Sequence, residues 1–215
     1  MADAPLELGA ALEGRLARAL DVEGKIPRVL EALGPVKGRD VVLAGDGHPG
    51  QDSAGIRAGQ LRDLGAHLTV AGWGDDQRSK IPDASADVLI GCWTAFRGAD
   101  PAELADAGRI LRPGGRLLAV HDYGRDDVSR LLGERPEYGT WSRRNGPFLK
   151  DGFRVRVIHC FWTFESIEDG QDFLEAAFGE VGRTVGAEMT RPRLSYNIAV
   201  YHKTFEAPTG TDATA

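Results

Sequence analysis

Cysteine is scarce in this chain, which has two such residues, Cys92 and Cys160, among its 215. Two thiols are too few for a disulfide scaffold or a four-cysteine metal site, and no His/Cys/Asp cluster has metal-site spacing. No apolar run approaches the ~18 residues that a membrane-spanning helix needs. The first ten residues lack the charged start and apolar stretch of a secretory signal. We therefore expect a cytoplasmic protein with no metal site and no membrane association.

Positive charge is also in short supply. Lys and Arg number 26 against 32 Asp and Glu, which gives a formal net charge of -6. That balance disfavours a globally basic nucleic-acid-binding protein, so no nucleic-acid partner is expected. Hydrophobic residues make up 42% of the chain, enough for the core of one ordinary α/β domain. The 28 glycines predict many tight turns and close backbone approaches.

Two helical patterns occupy the first 35 residues. Their apolar positions recur at helical spacing, in two groups: Leu12, Leu16 and Leu20, then Ile26, Leu30 and Leu33. A break is predicted near Gly24 and Pro27, where the helical pattern is interrupted. The two helices could form a lid or could pack against the main fold, and the sequence leaves both possibilities open.

Short apolar runs predict a buried sheet in the next part of the chain. Four of them are typical of strands buried on both faces: residues 40–44, 67–71, 86–90 and 116–120. A helix is predicted over 52–64, and Asp100 and Pro101 form a strong start for another. This order implies a parallel sheet with right-handed crossovers.

The last third of the chain predicts an antiparallel addition to that sheet. Residues 153–157 alternate apolar and charged side chains, a helix opens at Ser166, and a final strand covers 194–201. We expect one of these late strands to run against the strand that starts near Asp40. The prediction is one doubly wound α/β domain with a mostly parallel sheet and an antiparallel edge: N-terminal helices over 1–35, the domain over 1–205 and a disordered tail over 206–215.

A glycine-rich turn follows the first predicted strand. Residues 45–50 match G-x-G-x-x-G, and glycines at such a turn let a ribose or phosphate approach the backbone. An NAD(P)-dependent oxidoreductase needs an acidic residue about 20 residues later to bind the ribose. This chain has Gly72 and Trp73 there. No tyrosine has a lysine four residues after it, as a short-chain dehydrogenase would require. The oxidoreductase is therefore the weaker alternative.

Three segments taken in order carry a family resemblance: residues 41–47, 81–89 and 109–117. They contain the glycine turn, a Pro-Asp stretch before one strand, and Leu-Arg-Pro-Gly-Gly before the next. Over residues 36–205 this order resembles class I S-adenosylmethionine-dependent methyltransferases. The resemblance implies a Rossmann-like methyltransferase fold, S-adenosylmethionine as the cofactor and an unidentified small-molecule acceptor.

The resemblance also implies where the site residues lie. A general base, needed when the acceptor starts protonated, would come from the end of a central strand, where His121 and Asp122 stand. Ordinary polar strand-end residues are the alternative at both positions. The cofactor contacts would come from the glycine turn and the strand exits: Gly45, Asp46, Gly47, Gly50, Gly72, Trp73, Asp75, Asp76, Ile81, Cys92 and Trp93.

The chain departs from the family pattern at two of the positions that would contact the cofactor. Leu43 stands where the family has an acid before its first motif glycine, and Gly72 stands where it has the ribose-binding acid. We expect Asp75 or Asp76 to take over that role. Residues 67–81 are also too few for the family's third strand and its preceding helix. A non-catalytic binding protein that keeps the fold without the cofactor is therefore an open alternative.

Three further features remain ambiguous in the sequence. The loop 141–148 combines aromatic side chains with two arginines, and it could build an acceptor pocket for an anionic or aromatic molecule or form an aromatic plug. His159 is expected to be a packed histidine. Cys92 would need a partnered base to act as a nucleophile, so a buried thiol is expected there.

Overall fold

The computed structural model describes residues 6, 8–45, 55–93, 95–133, 135 and 137–206. The predicted cofactor residues Asp46, Gly47 and Gly50 lie outside the described residues, and so does the tail from 207 to 215. Within the described part, strands and helices follow one another in the order that the apolar runs predict.

Six strands form one sheet: β1 (Asp40–Gly45), β2 (His67–Gly72), β3 (Ala86–Cys92), β4 (Leu111–Asp122), β5 (Arg154–Thr163) and β6 (Arg193–Phe205). Their spatial order is β2-β1-β3-β4-β6-β5. The first four strands are mutually parallel, whereas β6 is antiparallel to both β4 and β5. The prediction of one reversed late strand is therefore confirmed, with β6 in that role one place in from the edge.

Two helices precede the first strand, α1 (Ala10–Ala19) and α2 (Lys25–Leu33). The others lie between strands: α3 (Ile56–Asp63), α4 (Asp75–Arg78), α5 (Pro101–Ile110), α6 (Asp127–Leu132), α7 (Pro147–Lys150) and α8 (Ile167–Ala187). α5 starts as predicted, because the Asp100 side chain accepts hydrogen bonds from the backbone N–H groups of Ala102 and Glu103. No helix in the described ranges is long and apolar enough to cross a membrane.

The Leu-Arg-Pro-Gly-Gly segment forms the bulged start of β4. Ala86 of β3 pairs with Leu111, but Val88 already pairs with Arg116, so the intervening residues of β4 bulge out of register. Gly114 within the bulge has φ 83°, a backbone conformation that favours glycine. The motif therefore ends α5 and sets the register in which β4 pairs with β3.

No strand lies among residues 73–85, where the resemblance places the family's third strand. Residues 73–85 are all described, and α4 is the one helix or strand among them. β2 is consequently an edge strand, as the short stretch after residue 67 predicts.

The N-terminal helices pack against the sheet. Leu16, Ile26 and Leu30 are fully buried in the apolar cluster on one sheet face, and α1 contacts α8 and β5. Of the two possibilities, the structure therefore favours packing over a lid. The predicted break occurs at Gly24 alone, because Pro27 lies within the first turn of α2, where a missing N–H costs no helical hydrogen bond.

Candidate functional site

The four parallel strands end at the same edge of the sheet. Gly45 at the end of β1 lies directly opposite Gly72 at the end of β2, and Ala44 lies opposite Gly91 of β3. β2, the next strand in the chain, lies on one side of β1, and β3, the strand after it, lies on the other side. β1 is therefore the topological switch point, where open α/β sheets bind their ligands.

The exit of β2 is tied to the exit of β1. The backbone N–H of Trp73 donates to the Gly45 carbonyl at 3.0 Å. The Trp73 ring is 6% exposed and tilts against Phe96, with 4.8 Å between the ring centroids. Ile81 is buried in the same apolar cluster. The structure thus brings Gly45, Gly72 and Trp73 together, with the indole embedded in the core.

Asp75 and Asp76 lie in α4, just beyond Trp73, and both are exposed. Asp75 forms an ion pair with Arg78 at 2.7 Å. The Arg78 guanidinium is itself held by Asp106 at 2.9 Å and by the Trp73 carbonyl at 3.1 Å. Two carboxylates are therefore available near the exit of β2, one of them in a surface ion pair.

The exit of β3 folds back over the sheet. A Cβ at Gly91 would lie 2.8 Å from the Phe96 ring and 2.9 Å from the Ala95 Cβ, so the chain itself fills this space. Trp93 and Phe96 both adopt φ 57°, unusual for side chains of this size. Cys92 is 0% exposed, which confirms the prediction of a buried thiol.

Asp122 is the centre of a buried polar cluster at the end of β4, where it is 3% exposed. Its Oδ1 accepts a hydrogen bond from Trp93 Nε1 at 3.0 Å and another from the Tyr196 hydroxyl. Its Oδ2 accepts from the Tyr138 hydroxyl at 3.4 Å and lies 3.8 Å from the Arg135 guanidinium. This cluster links three separate segments of the chain around one carboxyl group.

Burial sets the protonation of the Asp122 cluster. Removal from water raises the pKa of Asp122 to about 6, against the hydrogen bond from Tyr196 and the positive charge of Arg135, which lower it. Burial and the neighbouring Asp122 charge raise the pKa of Tyr138 and of Tyr196, so both phenols keep their protons. Asp122 therefore changes its charge near neutral pH.

His121 lies apart from Asp122, although the two are neighbours in sequence, because successive side chains of a strand point to opposite faces. Its Nε2–H donates to the Phe96 carbonyl at 3.2 Å, and its ring meets the edge of Trp141 at 5.0 Å. Burial, then the positive charge of Arg97, lowers the pKa of His121 to about 3. A neutral imidazole with so low a pKa is a poor base.

The loop 141–148 covers His121 with aromatic side chains. Phe148 is 0% exposed and stacks on Tyr201 at 4.0 Å, while Trp141 packs against it at 5.6 Å. Arg143 and Arg144 point outward and are exposed. Of the two alternatives for this loop, the aromatic plug matches the structure.

His159 is exposed, so the prediction of a packed histidine is wrong. Its strand, β5, lies at the edge of the sheet. The ring is held by the neighbouring strand instead, with 2.7 Å between His159 Nδ1 and Asn197 Oδ1.

The sequence did not single out Tyr138 or the segment around it. Glu137 is 5% exposed and pairs with Arg97 at 3.1 Å, and the Tyr138 ring packs over Gly124, where a Cβ would lie 2.9 Å from it. Because Tyr138 reaches Asp122 across 16 residues of chain, no local pattern shows this contact. Gly124, just after the end of β4, is the one sequence signal that a side chain such as Tyr138 packs over the backbone at this point.

No protein-family model and no curated protein matches the chain. Solved structures do resemble it, and two of them share its fold at a TM-score above 0.5. One is a proposed type II methyltransferase from Anaeromyxobacter dehalogenans, with a TM-score of 0.53 and 17% identity, covering 85% of this chain and 97% of the other. The second is a proposed methyltransferase from Bacillus halodurans C-125, with a TM-score of 0.51 and 16% identity, covering 86% of this chain and 100% of the other. The chain has the class I methyltransferase fold.

Proposed function

We propose that this protein is a cytoplasmic S-adenosylmethionine-dependent methyltransferase that acts on a small-molecule acceptor. The observation that carries the proposal is the switch point at β1, where Gly45 and Gly72 face each other at the ends of two parallel strands. Ligands of open α/β sheets bind in the crevice outside the strand ends at such a point. The likeness in fold to two structures described as methyltransferases supports the proposed activity.

The residues around this point suit the cofactor in shape and chemistry. Gly45 and Gly72 present backbone without side chains, which allows close approach of a ribose. Asp75 and Asp76 place two carboxylates in the short helix just after the β2 exit. When bound, S-adenosylmethionine supplies an electrophilic methyl group on a sulfonium. Because Trp73 is buried, its indole would form part of the wall of the site and would not cover the cofactor from the solvent side.

Asp122 is the better candidate for the base. Its pKa of about 6 lies near neutral pH, whereas that of His121 is about 3, and a general base works best when its pKa is close to the working pH. Tyr138 is partly exposed and hydrogen-bonded to Asp122 Oδ2 at 3.4 Å. A proton leaving the acceptor would pass to the Tyr138 oxygen while the phenolic proton moves to Asp122.

Removing both Asp75 and Asp76 tests the ribose contact. The wild type is expected to bind S-adenosylhomocysteine with micromolar affinity, and Asp75→Ala/Asp76→Ala is expected to bind about tenfold more weakly, because a charge-assisted hydrogen bond is lost. The surface ion pair between Asp75 and Arg78 is worth at most about 1 kcal/mol, so Asp75 can exchange it for a ribose hydroxyl. Calorimetric titration measures both affinities.

Asp83→Ala is the matched control for that experiment. Asp83 is also exposed and paired with an arginine, Arg109 at 2.7 Å, but it lies beyond α4 on the way to β3. This variant should bind the probe like the wild type. Equal affinities of the double variant and the wild type would refute the ribose role of the two acids.

A further inference from the structure

A cavity of about 410 Å³ opens at the same edge of the sheet, beyond the Asp122 cluster. Its walls come from α6, from the end of α8 and the turn after it, and from the facing ends of β5 and β6. Its size falls within the range of small-molecule sites. Ser195 in its wall directly precedes Tyr196, but none of the residues proposed above for cofactor or proton transfer lines it.

The lining of this cavity carries an excess of positive charge. Three guanidinium groups face two carboxylates there, in a chain whose formal net charge is -6. Arg193 lies over the Phe161 ring, with its Cζ 4.4 Å from the ring centroid. This stacking holds the planar fork of Arg193 at the wall, where it can meet a carboxylate or a phosphate with two hydrogen bonds.

The carboxylate of Asp127 is already used by the protein. Its Oδ2 accepts hydrogen bonds from the backbone N–H and the hydroxyl of Ser195, at 2.9 and 2.6 Å, and its Oδ1 pairs with Arg130. Neither Arg191 nor Arg193 has a carboxylate within ion-pair distance among residues 8–45, 55–93, 95–133 and 137–206. The charge of Arg193 helps to lower the pKa of Glu23, but that carboxylate is paired with Lys25 at 2.6 Å. Both guanidinium groups of the cavity therefore keep hydrogen-bond donors for an anion from outside.

The rest of the lining is apolar. Leu194 is 5% exposed and belongs to the core, and Met189 and Val185 are partly buried against the same core. Together with the Phe161 ring they give the cavity an apolar wall beside its cationic one. A molecule that fits must therefore combine an anionic group with an apolar body, since an apolar wall gains from excluding water.

We propose that this cavity binds a small molecule carrying a carboxylate or phosphate group on an apolar, ring-sized body. Arg191 and Arg193 bind the anionic group, and Phe161, Met189 and Leu194 contact the apolar body. The proposal does not depend on the methyltransferase activity, because it uses a separate set of residues at the same edge of the sheet.

Three probes with one common body test the proposal: 1-naphthoate, 1-naphthyl phosphate and the neutral 1-naphthamide. Titration of the isotope-labelled protein, followed by the amide resonances of residues 188–191 and 193–195, is expected to show binding of at least one anion with a dissociation constant at or below about 1 mM. The amide should bind about tenfold more weakly, because it lacks the charge-assisted hydrogen bonds. The two anions show which group the arginines prefer.

Arg191→Gln/Arg193→Gln should weaken anion binding about tenfold or more and leave binding of the amide unchanged. Arg183→Gln is the control, since Arg183 lies on α8 in exposed pairs with Glu175 and Glu180 and is not part of the cavity lining. Both variants replace exposed side chains, so an unchanged melting temperature shows that the fold is intact. Equal binding of anions and amide, no binding of either anion, or wild-type affinity in the double variant would each overturn the proposal.

Discussion

Replacing Asp122 with asparagine is expected to slow methyl transfer about 100-fold, the usual contribution of a general base. The amide oxygen can still accept the hydrogen bonds from Trp93 Nε1 and Tyr196, so the buried cluster keeps its shape while losing its base. The rate is measured as the formation of S-adenosylhomocysteine from S-adenosylmethionine. The small-molecule fraction of a cell extract supplies the acceptor. Affinity for S-adenosylhomocysteine should stay unchanged.

The pH dependence distinguishes a base from a structural residue. Asp122 accepts a proton only when ionised, and burial raises its pKa to about 6. The wild-type rate should therefore fall as the pH drops below about 6, and this acidic limb should be missing in Asp122→Asn. Asp126→Asn is a matched control, because Asp126 is another largely buried acid with a raised pKa, but it bonds Ser129 and Asn197 instead. Wild-type turnover in Asp122→Asn would contradict the assignment.

Gly182→Ala is expected to lower the free energy of unfolding by about 3 kcal/mol, the upper range for overpacking. α8 is interrupted at Gly179, which has φ 58° and ψ -130°, and a Cβ at Gly182 would then lie 1.8 Å from the Leu174 carbonyl oxygen. The Leu174 backbone cannot move aside to relieve this contact, whereas a flexible side chain could. Thermal unfolding should show a melting temperature lower by roughly 6–12 °C.

Gly14→Ala provides the comparison for that substitution. Gly14 lies in α1, and its Cβ would sit 3.5 Å from the flexible end of Arg18, an ordinary contact. Because alanine favours a helix over glycine, this variant should gain about 0.5–1 kcal/mol. Two variants of equal stability would show that Gly182 is not held against Leu174.

The architecture followed from the sequence wherever a pattern was local. The apolar runs gave the strands, and Leu-Arg-Pro-Gly-Gly marked the end of α5 and the start of β4, because proline and glycine there forbid a continued helix. The short span after β2 predicted the lack of a strand among residues 73–85. The prediction that a late strand is antiparallel depended on the family resemblance as well as on the late apolar runs. The sequence of a single strand does not show the direction in which it pairs.

The site was less predictable because its contacts join distant segments. Their place at the end of a central strand made both His121 and Asp122 candidates for the base, yet alternation along β4 separates them onto opposite faces. Phe96 fills the space beside Gly91, and Tyr138 reaches Asp122 from a later segment. Such contacts are set by tertiary packing, which a pattern of neighbouring residues does not record.

Calorimetric titration of the wild type with S-adenosylhomocysteine, NAD and NADP tests the central claim most directly, because it asks which adenosine-containing ligand the switch point at Gly45 accepts. We predict micromolar binding of S-adenosylhomocysteine and no detectable heat with either dinucleotide. Tighter binding of NAD or NADP would contradict the account in favour of an oxidoreductase. Binding of none of the three would contradict it in favour of a protein that keeps the methyltransferase fold without its cofactor.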